Sequence, residues 1–372
     1  MRVTVRDVVT GICCAALAAC GGKTTEPGPE GARADAARSE LVATPASATA
    51  DGASQVVLAA TARDPAGRVL AGRPASFDVT GVGTTVGATA MLTGPDGVAT
   101  VAVVSTVAGS VSGTVALDGV AVTQQASGAF VAGPAAVLQV QSLPSSLTAG
   151  TERSVTVTAR DAHANVVKTY AGTVHFATAD SIASVPPDYA FQPADEGVRA
   201  FAVTLRRAGA QTLTATDTST SSVTGSQDTT VSAAAPSTFE VSVAASTTTA
   251  GETSAISVTA LDPYGNVATD YTGTVHLAST DGSAVLPLDY TFTGSDGGAH
   301  SFTSAVTLST AGAQTLTATD LLDPTLAGTA PVTVTSGTPD HLAFVVQPSS
   351  IVAGGTISPA VEVEVLDAYG NR

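Results

Sequence analysis

The sequence predicts an all-β protein made of tandem β-sandwich domains, and three observations carry this prediction. Apolar residues alternate with polar ones over short runs, as at Ile256, Val258 and Ala260. Clusters of Gly, Asp, Asn and Ser separate such runs about every 8–12 residues, which is the spacing typical of a sandwich. Long blocks also recur, because the ten residues at 208–217 return unchanged at 311–320. The domains are therefore predicted to be repeats.

The composition agrees with a chain of folded domains. Of 372 residues, 44% are hydrophobic and 12% are charged, so the chain lacks the low hydrophobicity and high charge of disordered proteins. The formal net charge of −16 disfavours nucleic acid and anionic lipid as partners, because both reward clustered Lys and Arg. We interpret the acidic balance as a means of staying soluble.

Residues 1–19 are predicted to be a secretory signal. Arg2 and Arg6 precede an apolar run at 8–19 that is shorter than the ~20 residues of a membrane-spanning helix. The run ends in Leu17-Ala18-Ala19-Cys20-Gly21, which resembles the lipobox of bacterial lipoproteins. The resemblance implies that a signal peptidase recognises Leu17, Ala18 and Ala19 and that Cys20 carries the lipid. It also implies an outer-membrane location, facing the periplasm or the cell surface. The alternative is an ordinary signal peptide with an incidental cysteine.

Residues 20–40 are predicted to be a flexible tether. They contain Pro27, Gly28 and Pro29 among mixed charges and show no apolar periodicity. All three cysteines lie within the first twenty residues of the chain. The predicted domains therefore have neither a Cys nucleophile nor a Cys-based metal site.

Residues 41–133 are predicted to form the first domain. They contain Ala50-Asp51-Gly52, a turn at 64–67 followed by Pro74, and Asp96-Gly97-Val98-Ala99. In these features the segment resembles the group 1 bacterial immunoglobulin-like (Ig-like) domain of intimin and invasin. The resemblance implies an Ig-like sandwich, and we expect the later repeats to belong to the same general class.

Two full Ig-like repeats are predicted at residues 134–235 and 236–337. The Ala-Gly pair at 149–150 recurs at 250–251, and Gly-Thr-Val-His at 172–175 recurs at 273–276. In the later part of the repeat, the offset between equivalent residues of the two copies is two residues larger, so the second copy contains a two-residue insertion. Because strands have a period of two, this insertion keeps the same positions facing inward. The large core residues are expected to be Phe191, Phe201, Phe292 and Phe302.

Residues 338–372 begin a further copy and are predicted to be a truncated Ig-like repeat. Two or three strands cannot bury a sandwich core, and an apolar, unpaired edge promotes association. The preferred interpretation is a fragmentary gene product. The alternative is that these strands complete a partner's sheet.

One turn recurs in every repeat and is a possible site, because acids, an amide and an aromatic recur together in it. In three copies it joins an Asp to an Asn four residues later, after a strand-like run, and in the more distant first copy Arg68 stands in place of the Asn. One carboxylate and one amide fall short of the ~6–8 oxygen ligands of Ca²⁺, so we predict no metal. The expected role is a structural turn, with the Asp bonded to the turn backbone and with Gly265 and Asn266 tolerating left-handed geometry. The residues assigned to these turns are Asp161, Asn165, Asp262, Gly265, Asn266, Asp367 and Asn371.

The remaining polar and aromatic residues give weaker signals. The five histidines lack metal-ligand spacing, and we interpret His175 and His276 as exposed strand residues. Tyr170 and Tyr271 are expected to pack over the end of a sandwich. Tyr189 and Tyr290 are kept as weak ligand-contact candidates. No catalytic motif and no cofactor fingerprint is present in the sequence.

The sequence thus favours a non-enzymatic, lipid-anchored envelope protein whose Ig-like domains form a structural stalk or an adhesion array. Its expected partners are the membrane, through the N-terminal lipid, and a protein or glycan surface ligand of unknown identity. The alternative is an N-terminal binding or spacer fragment of a larger secreted or surface enzyme.

Overall fold

The computed structural model describes residues 31–372. The signal segment lies outside these residues, as do the predicted lipidation site Cys20 and the peptidase-recognition residues Leu17, Ala18 and Ala19. Regular structure in the described range consists of β-strands and two short 3₁₀ turns, Pro193–Asp195 and Gly294–Asp296. No helix in this range is long and apolar enough to cross a membrane.

The first sandwich packs two sheets against one apolar core. Its ten strands are β1 (Glu40–Thr44), β2 (Ser47–Thr49), β3 (Val56–Thr61), β4 (Pro74–Gly81), β5 (Thr84–Val86), β6 (Ala90–Leu92), β7 (Val98–Ser105), β8 (Gly109–Leu117), β9 (Val120–Ala121) and β10 (Ala126–Val131). One sheet has the order β1-β3-β7-β5, and the other has the order β2-β10-β8-β4-β6 with β9 beside β8. Leu58 and Val101 of one sheet join Phe77 and Val115 of the other in a single buried cluster.

The second and third sandwiches repeat a three-stranded and a five-stranded sheet. The second contains β11 (Val137–Gln141), β12 (Ser146–Thr148), β13 (Glu152–Arg160), β14 (Thr173–Thr178), β15 (Tyr189–Ala190), β16 (Val198–Thr204), β17 (Gly209–Asp217) and β18 (Thr224–Ser232). Its sheet orders are β11-β13-β16 and β12-β18-β17-β14-β15.

The third contains β19 (Thr238–Val243), β20 (Thr247–Thr249), β21 (Thr253–Leu261), β22 (Thr274–Ser279), β23 (Tyr290–Thr291), β24 (Ala299–Thr307), β25 (Gly312–Asp320) and β26 (Ala327–Thr335). The orders β19-β21-β24 and β20-β26-β25-β22-β23 match those of the second sandwich. All four phenylalanines expected in the cores are buried. The predicted class, tandem Ig-like β-sandwiches, is confirmed, whereas the domain limits drawn from the sequence stay a prediction.

The two-residue insertion of the third repeat lies in β24. Ile256 of β21 pairs with Phe302, whereas Ser254, two residues before Ile256, pairs with Val306. The extra residues thus form a bulge in β24, and Phe302 and Val306 both stay buried. A bulge of this size preserves the inward face, as the spacing predicted.

The last strands, β27 (Pro339–Val346) and β28 (Glu362–Asp367), form a two-stranded antiparallel sheet. They correspond to β19 and β21, but their apolar side chains are uncovered. Leu342 and Phe344 are 69% and 57% exposed, whereas Phe239 and Val241 at the equivalent positions are 3% and 9% exposed. Val363 and Val365 of β28 are also exposed.

Packing divides the described chain into two compact units. The first contains the strands up to Val137 together with Thr158–Ala171 and Gln192–Val198. The second contains Leu138–Val157, Gly172–Phe191 and Arg199–Arg372. The turn at 161–165 therefore packs with strands that precede its own sandwich.

Candidate functional site

The recurring turn follows β13 and β21 and closes β28. At Asp262 its backbone N–H donates to the Asn266 carbonyl at 2.9 Å, and the Gly265 N–H donates to the Asp262 carbonyl at 3.1 Å. Gly265 has φ +81°, which favours glycine, and Ala164 takes the same left-handed conformation at φ 66°. Of the two residues expected to tolerate that conformation, Gly265 adopts it and Asn266 does not. Its side chain has another role.

The Asp carboxylate bonds both the turn and the segment that leads into the sandwich. Asp262 Oδ1 accepts from the N–H groups of Tyr264 at 2.8 Å and Asn266 at 2.9 Å. Asp262 Oδ2 accepts from the Ala234 N–H at 2.9 Å and from Asn266 Nδ2 at 2.8 Å. The same pattern links Asp161 to Gly133 and Asn165, and Asp367 to Gly337 and Asn371.

Burial raises the pKa of the Asp262 carboxyl, but the hydrogen bonds, led by the one from the Asn266 side chain, outweigh burial and hold that pKa below its ordinary value. The pKa values of Asp161 and Asp367 are lowered for the same reasons. These carboxylates are therefore ionised at neutral pH, as acceptors of several N–H donors should be.

The amide of each Asn reaches the preceding sandwich. Asn266 Nδ2 donates to the Arg206 carbonyl at 2.7 Å, and the Ala208 N–H donates to Asn266 Oδ1 at 2.8 Å. We call this pair of hydrogen bonds the Asn clamp. It recurs at Asn165 with Thr106 and Ala108, and at Asn371 with Ser309 and Ala311, all at 2.7–2.9 Å.

A buried polar side chain orders each loop that receives a clamp. Asp281 Oδ2 accepts from the Ser309 N–H at 2.6 Å and the Thr310 N–H at 2.9 Å. Burial raises the pKa of Asp281, but these bonds prevail and lower it to about 2. The corresponding groups in the other loops are Asp180 with the N–H groups of Arg206 and Arg207, and Ser105 with the N–H of Val107.

At two of the three junctions an aromatic ring adds a packing contact to the hydrogen bonds of the clamp. The Tyr264 ring lies against Gly150, where a Cβ would overlap it, and the Tyr369 ring lies against Gly251 in the same way. These glycines belong to the recurring Ala-Gly pair, so each needs both a left-handed backbone and the absence of a side chain. At the first junction the aligned residue is His163, and a Cβ on the corresponding Gly52 would meet only the Thr106 methyl, at 3.1 Å.

The first sandwich has the turn without the amide. The Asp64 N–H donates to the Arg68 carbonyl at 2.9 Å, and the Arg68 N–H donates to Asp64 Oδ1 at 2.8 Å. Gly67 is left-handed at φ +82°. The turn therefore closes with Arg68 where the later copies have Asn.

The two equivalent strand histidines are exposed, and each lies beside a carboxylate. His175 Nδ1 is 2.6 Å from Asp188 Oδ1, and His276 Nδ1 is 2.7 Å from Asp289 Oδ1. This pairing accounts for the recurrence of both residue types. Within residues 31–372 no group of three or more His, Cys, Asp and Glu side chains is arranged to hold a metal ion.

The tyrosines named as weak ligand-contact candidates are half-buried and packed against neighbours. Tyr290 stacks on His300 with ring centroids 3.7 Å apart, and its hydroxyl donates to Asp296 Oδ1 at 3.1 Å. Tyr189 lies edge-on to Phe201, with the Arg199 guanidinium 5.0 Å from its ring centroid. Their contact with a ligand stays a prediction.

Tyr271 and Tyr170 are both buried. The Tyr271 hydroxyl donates to Asp320 Oδ2 at 2.5 Å, and its ring is edge-on to Phe239 and Phe292. Burial, together with the nearby Asp320 carboxylate, raises the pKa of Tyr271 above its ordinary value. Its role is packing within the sandwich.

Reasoning from the sequence missed the clamp, although a signal was present. The chain has only three asparagines, Asn165, Asn266 and Asn371, and all three occupy the clamp position. The loop-ordering residues Asp180 and Asp281 also fall at matching places in their repeats. The structure thus brings residues that had been assigned to a local turn into contact with the sandwich before them.

The first domain matches a known family. Residues 38–131 match the family model of the bacterial Ig-like domain (group 1), which confirms the resemblance drawn from its motifs. Comparison with curated protein sequences gives no match.

Among solved structures, the chain is similar to FdeC, an Escherichia coli adhesin, with 21% identity and a TM-score of 0.48, over 83% of this chain and 99% of that chain. It is similar to InvD of Yersinia pseudotuberculosis with 18% identity and a TM-score of 0.41, over 80% and 97% of the two chains. Invasin, a bacterial integrin-binding protein, gives 18% identity and a TM-score of 0.34, over 83% of this chain and 62% of that chain.

Proposed function

We propose that this chain is a lipid-anchored protein of the bacterial cell envelope whose Ig-like repeats act as a non-catalytic stalk or adhesion array. The observation that carries the proposal is the Asn clamp, which recurs with the same donors and acceptors at three successive junctions. Modules on free linkers need no such contacts, because independent motion is their default. A stalk needs each domain to be held against the next.

The free energy of the clamp is large enough to hold neighbouring domains together. At a net value of about 1 kcal/mol per hydrogen bond, its two bonds contribute on the order of 2 kcal/mol to each junction. A free energy of that size changes the ratio of docked to undocked domains by roughly thirtyfold. The Tyr264 and Tyr369 rings add buried area at two junctions.

Two further observations support the proposed lipid anchor and the proposed location in the cell envelope. The lipobox-like residues 17–21 end an apolar run of the right length for export. The match of residues 38–131 to a bacterial Ig-like family suits an envelope protein. The proposed location is the outer membrane, facing the periplasm or the cell surface, and the proposed partner is a protein or glycan surface ligand.

Metabolic labelling with a radioactive fatty acid tests the anchor. The wild-type chain is expected to take up label and to partition into detergent, whereas Cys20→Ala should do neither. Cys13→Ala is the matched control, because it removes a cysteine from the segment that would be cleaved away. Mature protein extracted intact without detergent, with a free Cys20 thiol, would refute the anchor.

Limited digestion with elastase tests the stalk, because the segments at 132–136 and 233–237 are rich in alanine. Replacing all three clamp asparagines by alanine should speed cleavage in these segments by roughly thirtyfold, since each junction loses about 2 kcal/mol of docking. His175→Ala, on an exposed strand, is the control. Unchanged cleavage in the triple variant would contradict a clamped stalk.

A further inference from the structure

We propose that the junction between the second and third sandwiches carries a binding site for a sugar with a single carboxylate. The site is a groove lined by residues 181–182, 207–209 and 264–267 together with Thr269, which we call the Arg207 groove. Its volume of about 610 Å³ lies within the ~300–1,000 Å³ usual for ligand sites. The inference rests on the proposed function, to which it adds the chemical class of the surface ligand.

Arg207 supplies an unused cation. Its backbone N–H is fixed by Asp180 at 2.9 Å, but its exposed guanidinium has no hydrogen bond or ion pair among the described residues. The neighbouring Arg206 is engaged, because its Nη1 donates to the Ile182 carbonyl at 2.7 Å. A free guanidinium presents a planar fork of donors that fits a carboxylate with two parallel hydrogen bonds.

Tyr264 supplies a fixed ring that lines the same groove as Arg207. The Arg206 guanidinium lies 5.8 Å from the centroid of the ring, and Gly150 meets the hydroxyl end. The ring is half-exposed and lines the groove. A ring already held in one orientation offers an apolar platform for the face of a sugar at little entropic cost.

The charge of the molecule limits the ligand to one carboxylate. The formal net charge of −16 repels polyanions, and no Lys or Arg occurs between Arg207 and Arg372 to offset it. The nearby carboxylates of Asp180 and Asp262 are occupied by N–H donors. A single negative charge can therefore be bound, whereas a run of charges is disfavoured.

The lining favours a sugar over an acidic peptide. Ala208 lines the groove with a single methyl group, and Gly209 and Gly265 line it with backbone alone. Nothing lies within 4 Å of where a Cβ would sit on either glycine. Ile182 and Val267 also line the groove, but they are 43% and 39% exposed and so do not form the deep apolar pocket that anchors a peptide side chain. Accessible backbone and one aromatic ring suit a polar, disc-shaped ligand better.

The third junction provides an internal comparison. Tyr369 lies against Gly251 as Tyr264 lies against Gly150, but Ser309 and Thr310 replace the two arginines. Arg372 stands there at the position of Val267, but it is paired with Glu364. The same ring without a free cation should not select an acidic sugar.

The test is calorimetric titration of the intact chain with sialyllactose, a glucuronic acid disaccharide and neutral lactose. We expect both acidic sugars to bind at least about tenfold more tightly than lactose, as one charge-assisted contact predicts. Arg207→Thr, which copies the third junction, should abolish that preference. Arg199→Ala should not, because Arg199 lies over Tyr189 instead. Thr310→Arg should create a second site, seen as a stoichiometry approaching two.

Equal affinity for acidic and neutral sugars, or a preference that survives Arg207→Thr, would overturn the assignment. Tighter binding of hexaglutamate that depends on Arg207 would show an acidic-peptide groove and would also overturn it. The titration does not depend on acylation of Cys20 or on elastase sensitivity. Loss of sugar binding and loss of the stalk or anchor are therefore separate results.

Discussion

The turn of the first sandwich and the turn of the third differ at one informative position. Both close through an Asp carboxylate and a left-handed Gly, yet Arg68 stands where the third has Asn266. The turn therefore forms without the amide. The recurrence of Asn in the later copies belongs to the junction, where Asn266 bonds the Arg206 carbonyl and the Ala208 N–H.

The largest difference is expected from removing the carboxylate in each turn. Asp262→Ala breaks four hydrogen bonds at a residue that is 2% exposed, and should destabilise its sandwich by about 3 kcal/mol. Asp64→Ala loses one such bond among the residues that the structure describes and should cost about 1 kcal/mol. Calorimetric unfolding of the two variants measures both. Equal losses would mean that the two turns are equivalent.

The next largest difference in stability is expected between substitutions of the two glycines that face the turns, Gly150 and Gly52. Gly150→Ala and Gly52→Ala both place a side chain at positive φ, but only the first also meets a tyrosine ring. We expect Gly150→Ala to cost about 1–2 kcal/mol more than Gly52→Ala, because overpacking adds to the backbone strain. The double variant Gly150→Ala/Tyr264→Ala should recover that excess. A double variant as unstable as the sum of the single variants would argue against the contact.

The clamp itself should have a smaller effect. Asn266→Ala loses two bonds to the preceding loop and its bond to Asp262, and we expect a loss of about 1–2 kcal/mol in thermal unfolding. Arg68→Ala, at the same position of the first turn, should change stability by less than about 0.5 kcal/mol. A comparable loss in both variants would remove the distinction between turn and clamp.

Acid should weaken the third sandwich through Asp281. Its pKa is lowered to about 2 in the folded state, below the ~3.9 of an unfolded Asp. Its stabilising contribution is therefore complete above about pH 4 and is lost as the pH falls from about 4 to about 2. Asp281→Asn should flatten the fall in melting temperature over that range. The first sandwich orders the equivalent loop with the Ser105 hydroxyl, which does not titrate there.

Much of the fold could be predicted from alternation and repetition. The inward positions of β21, the buried phenylalanines and the two-residue bulge of β24 all followed from a period of two. The clamp could not be found in that way, because Asn266 bonds main-chain atoms some 60 residues earlier in the chain. Because the partners of the Asn amide are main-chain groups, which nearly every residue carries, no particular side chain in the sequence indicates the contact.

The last strand pair shows a second limit of pattern reasoning. β27 and β28 have the alternation of β19 and β21, and the sequence predicted strands in both places. Whether an apolar face is covered depends on which other strands pack on it. Leu342 and Phe239 therefore have the same local pattern and opposite exposure.

The main-chain character of the clamp has an evolutionary consequence. Thr106, Arg206 and Ser309 receive equivalent amides although the long, charged side chain of Arg206 is unlike the small hydroxyl side chains of the other two. A repeat that carries the Asn turn can therefore follow any repeat that presents this loop. Duplication or unequal crossover within the gene can add or remove a domain without a compensating substitution in its neighbour. The number of repeats is thus free to change faster than the sequence within each one.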